Sequence, residues 1–453
     1  MRTSSFWRSV GQAARPAGQF VQRVGTGHWT RYTVFAGTNT TADLGVILSA
    51  LVGRVPISDG PAIETYERRF AEAAGTTYAF SFASGRMALY TLLKALGVGP
   101  GDEVIVPAFT CVVVPNAILY CGAKPVFVDI EPDTFNIAPT LLEEKITPRT
   151  KVIIAQHTFG LVSDVSAATA IAARHGIVVL EDCAHALGAT LDGRPAGSLT
   201  TAAFFSTDHT KLISTGAGGM VTTNDAGVAS RVGEIYRNCP FLPIGRVRRL
   251  LGALAGEIVL LHPKTCQAGR YLQAVLGSLG LRQGFFSDEL LTTRPHAYPY
   301  PARLSNAQAA IGIRQLATLA DNVSWRRNLA SLFDEELGLS VSRVGREARR
   351  HVFLRYSFLV ADRHAWERHF DAVLDMNPWY TSVVHGRSDE SLHEVGYQRG
   401  ACPIAEDVAA HCVNLPTHLR VREPEILLQL LRAARQSHDP ALRLRPPTRC
   451  LVQ

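Results

Sequence analysis

The chain has no CxxC pair, and none of its eight cysteines stands at a metal-like spacing from histidine. A zinc ribbon and a thioredoxin-like redox motif are therefore not expected, nor is any metal, and the scattered thiols suit a reducing cytoplasm. Acidic residues are absent from Met1 to Ala42, where Arg2, Arg8, Arg15, Arg23 and Arg31 recur among Phe6, Trp7, Val10, Phe20, Val21 and Val24. No continuous apolar stretch there is long enough for a secretory core or a membrane span, so the segment reads either as a targeting peptide or as a basic amphipathic arm. No internal repeat is present. Aromatic and basic residues are not interleaved on any fold that reads nucleic acid, and a net charge of +7 is weak ground for one, so no nucleic-acid partner is expected.

What is present suits a large enzyme. With 453 residues, 47% of them hydrophobic, the chain can bury a sizeable core and divide into more than one domain. Short apolar runs alternate with helical patterns from Glu103 to Asp225, which predicts a doubly wound, mostly parallel sheet. Its strands are expected at Glu103–Val106, Val126–Ile130, Lys151–Ala155, Ile177–Leu180, Ala203–Phe205 and Gly219–Thr222, with a helix at Ser163–Arg174 between two of them. Helices at Asn306–Ala320 and Glu423–Ala434 and a strand within Val352–Val360 suit a smaller α+β C-terminal domain. Gly97, Gly99 and Gly101 precede a strand instead of opening a helix, so they mark a turn and not a dinucleotide fingerprint.

Two residues carry the chemistry. Asp182 closes the apolar run Gly176–Asp182, at the carboxyl end of a buried strand, where open α/β sheets place ligands. Lys211 follows about thirty residues later, just ahead of Thr215-Gly216-Ala217-Gly218-Gly219. A lysine amine that forms an imine with an aldehyde cofactor, and a carboxylate that keeps the cofactor's pyridine nitrogen protonated, are the two requirements of pyridoxal 5′-phosphate chemistry. Taken singly, the lysine is a solvated charge and the aspartate a helix cap. The segment Phe82-Ala83-Ser84-Gly85-Arg86 leads into a helical pattern running to Leu96, so Ser84 and Gly85 offer a phosphate cradle, although Ser84 reads equally as an ordinary N-cap. Ser206 is a candidate second phosphate ligand. His157 follows a strand at a ligand-facing edge and is either a site residue or a structural histidine. Cys111 and Cys183 read as packing residues and not as nucleophiles.

The ordered motifs Gly60-Pro61, Ala83-Ser84-Gly85, Val104-Ile105-Val106-Pro107, Gly122–Asp129, Glu181-Asp182-Cys183-Ala184-His185, Phe205-Ser206, Thr215–Gly219, Arg303-Leu304-Ser305, Cys402–Glu406 and Asn414–His418 resemble the DegT/StrS-type sugar aminotransferases. The likeness covers roughly residues 58–240 and 300–435. It implies a fold type I pyridoxal-phosphate enzyme, a homodimer with shared active sites, that moves an amino group from an amino acid, usually glutamate, to a keto-sugar commonly carried on a nucleotide. It places Lys211 at the Schiff-base position, Asp182 at the pyridinium partner and His185 at the contact to the ring hydroxyl, with Ser84, Gly85 and Ser206 at the phosphate. Arg303 and His385 are candidate acceptor contacts. Retention of Lys211 favours transamination over the family's dehydratases, which carry histidine there; another carbanion reaction and a catalytically idle member remain as alternatives.

Three departures stand out. Cys111 occupies the place of the family's aromatic stacking residue, with Phe109 as a substitute two positions away; Ala217 replaces an acid; and Pro299-Tyr300-Pro301-Ala302-Arg303 lacks the asparagine lent to the neighbouring subunit. The expected division is a basic arm at 1–57, a large cofactor-binding domain at 58–239, an apolar and basic helical insertion at 240–299 and a small domain at 300–453. The insertion carries Arg246, Arg248 and Arg249 before an apolar run, then Tyr271-Leu272, Leu276 and Phe285-Phe286. Extra helices over the dimer interface or the site account for it, as does a patch that holds a cytoplasmic enzyme against the inner membrane face and admits a lipid-like ketone acceptor.

Overall fold

The computed structural model describes residues 30–34, 37–266, 268–269, 271–272, 291–341, 348–376 and 379–445. Its centre is a seven-stranded sheet of β1 (Tyr78–Phe82), β2 (Glu103–Pro107), β3 (Lys124–Val128), β4 (Thr150–Gln156), β5 (Val178–Asp182), β6 (Ala202–Ser206) and β7 (Gly219–Thr223), in the spatial order 1-7-6-5-4-2-3. The pairs 6–5, 5–4, 4–2 and 2–3 are parallel, while β7 runs antiparallel to both β6 and β1. Continuous Val/Ile runs such as Val152-Ile153-Ile154 are buried because helices cover both faces of a parallel sheet.

All six expected strands form, and β1 is the addition. It lies at the sheet edge with an exposed first residue and half-buried second and third, so it lacks the apolar run that marks its neighbours. β3 starts two residues earlier than expected, at Lys124-Pro125, and Ile130 instead bridges to Ile137 outside the sheet. Pro125 is tolerated because β3 is the opposite edge.

The helix α1 (Gly85–Ala95) is capped by Ser84, whose hydroxyl accepts from the Met87 amide at 3.3 Å. A second core gathers Phe333, Tyr356, Trp366 and Phe370 around the antiparallel pair β8 (Arg355–Leu359) and β9 (Cys412–Pro416). Residues 32–33 add a parallel pairing to residues 374–375 beside this core, and Thr41–Leu51 forms a helix.

The helix α2 (Ile244–Leu260) falls within the insertion. It turns Val247, Leu250, Leu251, Leu254 and Ile258 inward, a burial that contributes about 1.5–3 kcal/mol per side chain. Residues 273–290 of the insertion, with Leu276, Phe285 and Phe286, lie outside the described residues. No described helix is long and apolar enough to cross a membrane.

Candidate active site

Two strand ends and one helix start converge at the carboxyl edge of the sheet. Asp182 ends β5, Ser206 ends β6, and α1 begins just after Ser84. The chain between β6 and β7 folds back on itself through Thr207 N to Gly218 O (2.9 Å) and Thr215 N to Thr207 O (2.9 Å), which presents Lys211 at the turn. Distant segments then fix that turn from behind. The Thr38 hydroxyl donates to the Lys211 carbonyl at 2.6 Å, Asn39 Nδ2 to the Ser214 carbonyl at 3.0 Å, and Asn322 Nδ2 to the Leu212 carbonyl at 2.7 Å. From α2, Leu254 packs over Gly216.

Lys211, Asp182, His185, Ser84, Gly85, Ser206 and Cys111 line one cavity. Asp182 is buried and its Oδ1 accepts from the Ala184 amide at 2.9 Å; burial pushes its carboxyl up to about 6, against the opposing pull of that bond and of Lys211. Burial also lowers the Lys211 amine, which its neighbours Asp208, Cys111 and Asp182 partly offset. His185 is held well below its ordinary range by burial and then by the charges of Lys211 and Arg355, so it is a neutral imidazole. Its Nδ1 accepts from the Phe159 amide at 3.3 Å, which places the ring proton on Nε2. Burial would push the Asp208 carboxyl up, yet His209 at 3.0 Å and Lys211 hold it down to about 2.

Other expected site residues fall elsewhere. His157 is wholly buried, with Nε2 at 3.0 Å from Glu181 and Nδ1 accepting from the Ser163 amide, so its place is structural. His157, Glu181 and Cys183 are close enough to surround an ion, but Glu181 already accepts from the amides of Gly197, Leu199 and Thr200. Arg303 lies outside the cavity, its guanidinium over Tyr236 and Phe241 at 4.6 and 4.8 Å. His385 is paired in register with Cys111 but sits behind Trp379 and Tyr380, without lining the cavity. Phe109 does not replace the missing stacking ring, because it is buried against Phe135, Phe159 and Tyr380.

The cavity instead receives Trp379, whose ring is 4.6 Å from Lys211 Nζ and stacks on His185 at 5.5 Å. Tyr380, Gln156, Asp208 and Arg86 also line it and were missed. Gln156 alone had a signal, since it ends β4 on the same sheet edge.

These groups fit pyridoxal phosphate. A Cβ on Gly85 would lie 3.0 Å from Ser206 Cβ, and one on Gly219 would lie 2.5 Å from Gly85 Cα, so the helix start approaches the strands only because both residues are glycine. Amides of the first helical turn, with the Ser84 and Ser206 hydroxyls, suit a phosphate, while Asp182 and Lys211 supply the acid and amine of the opposite end. Fold and site define a fold type I pyridoxal-phosphate aminotransferase.

The chain belongs to the DegT/DnrJ/EryC1/StrS aminotransferase family, whose model matches residues 46–427. GDP-perosamine synthase of Caulobacter vibrioides is 31% identical over 380 residues, 82% of this chain and 88% of that protein. A pleiotropic regulatory protein of Geobacillus stearothermophilus is 32% identical over 373 residues, 81% of this chain and 87% of its own. The crystal structure of S. venezuelae DesV in complex with a ketimine intermediate matches with a TM-score of 0.67 at 26% identity, over 88% of this chain and 95% of that one.

Proposed function

We propose that this aminotransferase moves an amino group from an amino acid, glutamate first among them, to a keto-sugar acceptor carried on a nucleotide. The observation that carries this reading is the gathering of Lys211, Asp182, His185, Ser84, Gly85 and Ser206 around one cavity. Bound pyridoxal phosphate supplies an aldehyde carbon for the amine and a protonated ring that accepts the electron pair left when the donor's Cα–H bond breaks. Lys211, its amine already lowered by burial, would take that proton at Nζ. Asp182 would keep a proton on the cofactor's ring nitrogen, and the Nε2–H of neutral His185 would be available to its hydroxyl. The Ser84 and Ser206 hydroxyls and the first-turn amides hold the phosphate. The same steps in reverse aminate the acceptor, giving ping-pong kinetics.

The test is spectroscopic. Glutamate added to the cofactor-loaded protein should replace its visible absorbance with that of the pyridoxamine form, and nucleotide-linked keto-sugars should restore it. Lys211→Ala should cut turnover at least about a thousandfold. Unchanged absorbance with glutamate would sink the proposal.

We also propose a homodimer with shared sites. What supports it is that Arg303, a candidate acceptor contact from the sequence, lies outside the cavity of its own chain. Mixing inactive Lys211→Ala and Arg303→Ala chains should regenerate activity if sites are shared. For the insertion, the inward apolar face of α2, its Leu254 over Gly216 and the Arg246 guanidinium 3.9 Å from the Tyr298 ring favour a helix that backs the lysine turn over one that lies on lipid.

A further inference from the structure

The cavity of Lys211, Asp182 and His185 is lined by three aromatic side chains, Phe204, Trp379 and Tyr380, while Cys111 lines it without a ring. A flat cofactor ring is held tightly only where another flat apolar surface covers it, so which of the three does so matters. Phe204 stands two positions before Ser206 on β6 and shares that strand face, toward the phosphate end. Tyr380 turns its ring to Phe109 at 5.1 Å and Phe159 at 5.9 Å, inside the core. Trp379 is the aromatic at the reactive end. Its ring centre is 4.6 Å from Lys211 Nζ, and its plane lies within 19° of the His185 ring at 5.5 Å. His185 is itself within 2° of Phe159 at 5.9 Å, so the indole extends a set of nearly parallel rings into the cavity.

That position is fixed by the second core. The Trp379 amide donates to Asn414 Oδ1, and Asn414 Nδ2 donates to the Ser357 hydroxyl at 2.8 Å. The Cys412 thiol donates to the Trp379 carbonyl at 3.7 Å, and the Arg355 guanidinium lies 3.7 Å from the centre of the indole. All four partners belong to β8 and β9, so this strand pair aims one ring at the edge of the large sheet. A ring held in advance gives up little freedom when a ligand meets it. The negative π face of an indole also attracts positive charge, here the Lys211 amine, and a protonated pyridine ring is a flat cation of the kind such a face binds.

We propose that Trp379 supplies the stacking face for the cofactor ring, the part that Cys111 leaves unfilled, and works with Asp182 to favour the protonated pyridine. The inference rests on the pyridoxal-phosphate reading of the site. It assigns to the second core, through one side chain, a direct share in holding the cofactor of the first.

The test is equilibrium binding to the cofactor-free full chain. Pyridoxamine 5′-phosphate has no aldehyde, so its affinity reads the ring and phosphate contacts without the bond to Lys211. Trp379→Leu keeps apolar bulk and removes the π face, while Trp379→Phe keeps a ring; Trp379→Met serves the same contrast should the leucine variant not fold. We expect pyridoxamine phosphate to bind the leucine or methionine variant at least about tenfold more weakly than the parent, and the phenylalanine variant within about threefold of it. The visible circular dichroism of bound pyridoxal phosphate, which reports a fixed asymmetric neighbour, should weaken in the first variant and persist in the second. Unchanged affinity without the ring overturns the proposal, because the indole is then a filler. Tighter binding without it also overturns the proposal, because the indole then occupies the place of the cofactor ring. So does a phenylalanine variant as weak as leucine. A parent that gains no visible absorbance with pyridoxal phosphate removes the reading of the site itself, and this inference with it.

Discussion

Replacing Asp182 with asparagine should make the cofactor-free protein more stable while it disables the enzyme. In the folded chain burial holds this carboxyl at about 6, against an ordinary value of 3.8. The folded state thus retains a proton that the unfolded state has released, and this group's contribution to stability falls as pH rises from about 4 to above 6. The resulting cost is about 1–2 kcal/mol at pH 5 and reaches a plateau of about 3 kcal/mol by pH 8. Asparagine keeps the oxygen that accepts from the Ala184 amide and carries no charge, so Asp182→Asn should recover most of that cost. Denaturant unfolding of cofactor-free parent and variant, at one protein concentration, should show an advantage for the variant that roughly doubles between pH 5 and pH 8. Added pyridoxal phosphate should reverse the order, because only the parent offers the ring nitrogen a counter-charge. An advantage of equal size at both pH values, or none, would refute the assignment of Asp182 as a desolvated acid awaiting a cation.

Gly85→Ala should force Ser206 aside, since its Cβ would sit 3.0 Å from that of Ser206 and 3.3 Å from the Phe205 carbonyl oxygen. We expect a loss of about 1–3 kcal/mol in thermal unfolding and at least a roughly tenfold weaker cofactor in absorbance titration. His157→Leu should cost about 1–3 kcal/mol by removing one of several partners of buried Glu181, yet cofactor affinity should stay within about threefold; a large drop in affinity with unchanged stability would restore His157 to the site.

Much of the site was legible because its parts are local. Asp182 and His185 lie three apart at one strand end, Ser84 and Gly85 adjoin at a helix start, and Ser206 precedes Lys211 by one turn, so short motifs carry their geometry. Trp379 and Tyr380 had no such signal. They reach the cavity because residues 384–385 pair with residues 110–111, a register set by tertiary packing and invisible in either segment alone. The same holds for Arg303: its motif was readable, but the Tyr236 and Phe241 rings that take up its guanidinium come from the end of one helix and the loop beyond it. β1 was missed because an edge strand needs no continuous apolar run, and the antiparallel course of β7 because its composition matches that of a parallel neighbour.

The bonds from Thr38 and Asn39 to the carbonyls of Lys211 and Ser214 bear on how the protein may be trimmed. Proteolytic maturation or an engineered start site upstream of these two residues leaves both anchors in place. Removal a few positions further along would release the reactive amine's own peptide group. The boundary of a minimal active fragment is therefore set 173 positions before the nucleophile, by a hydroxyl that touches no reactant.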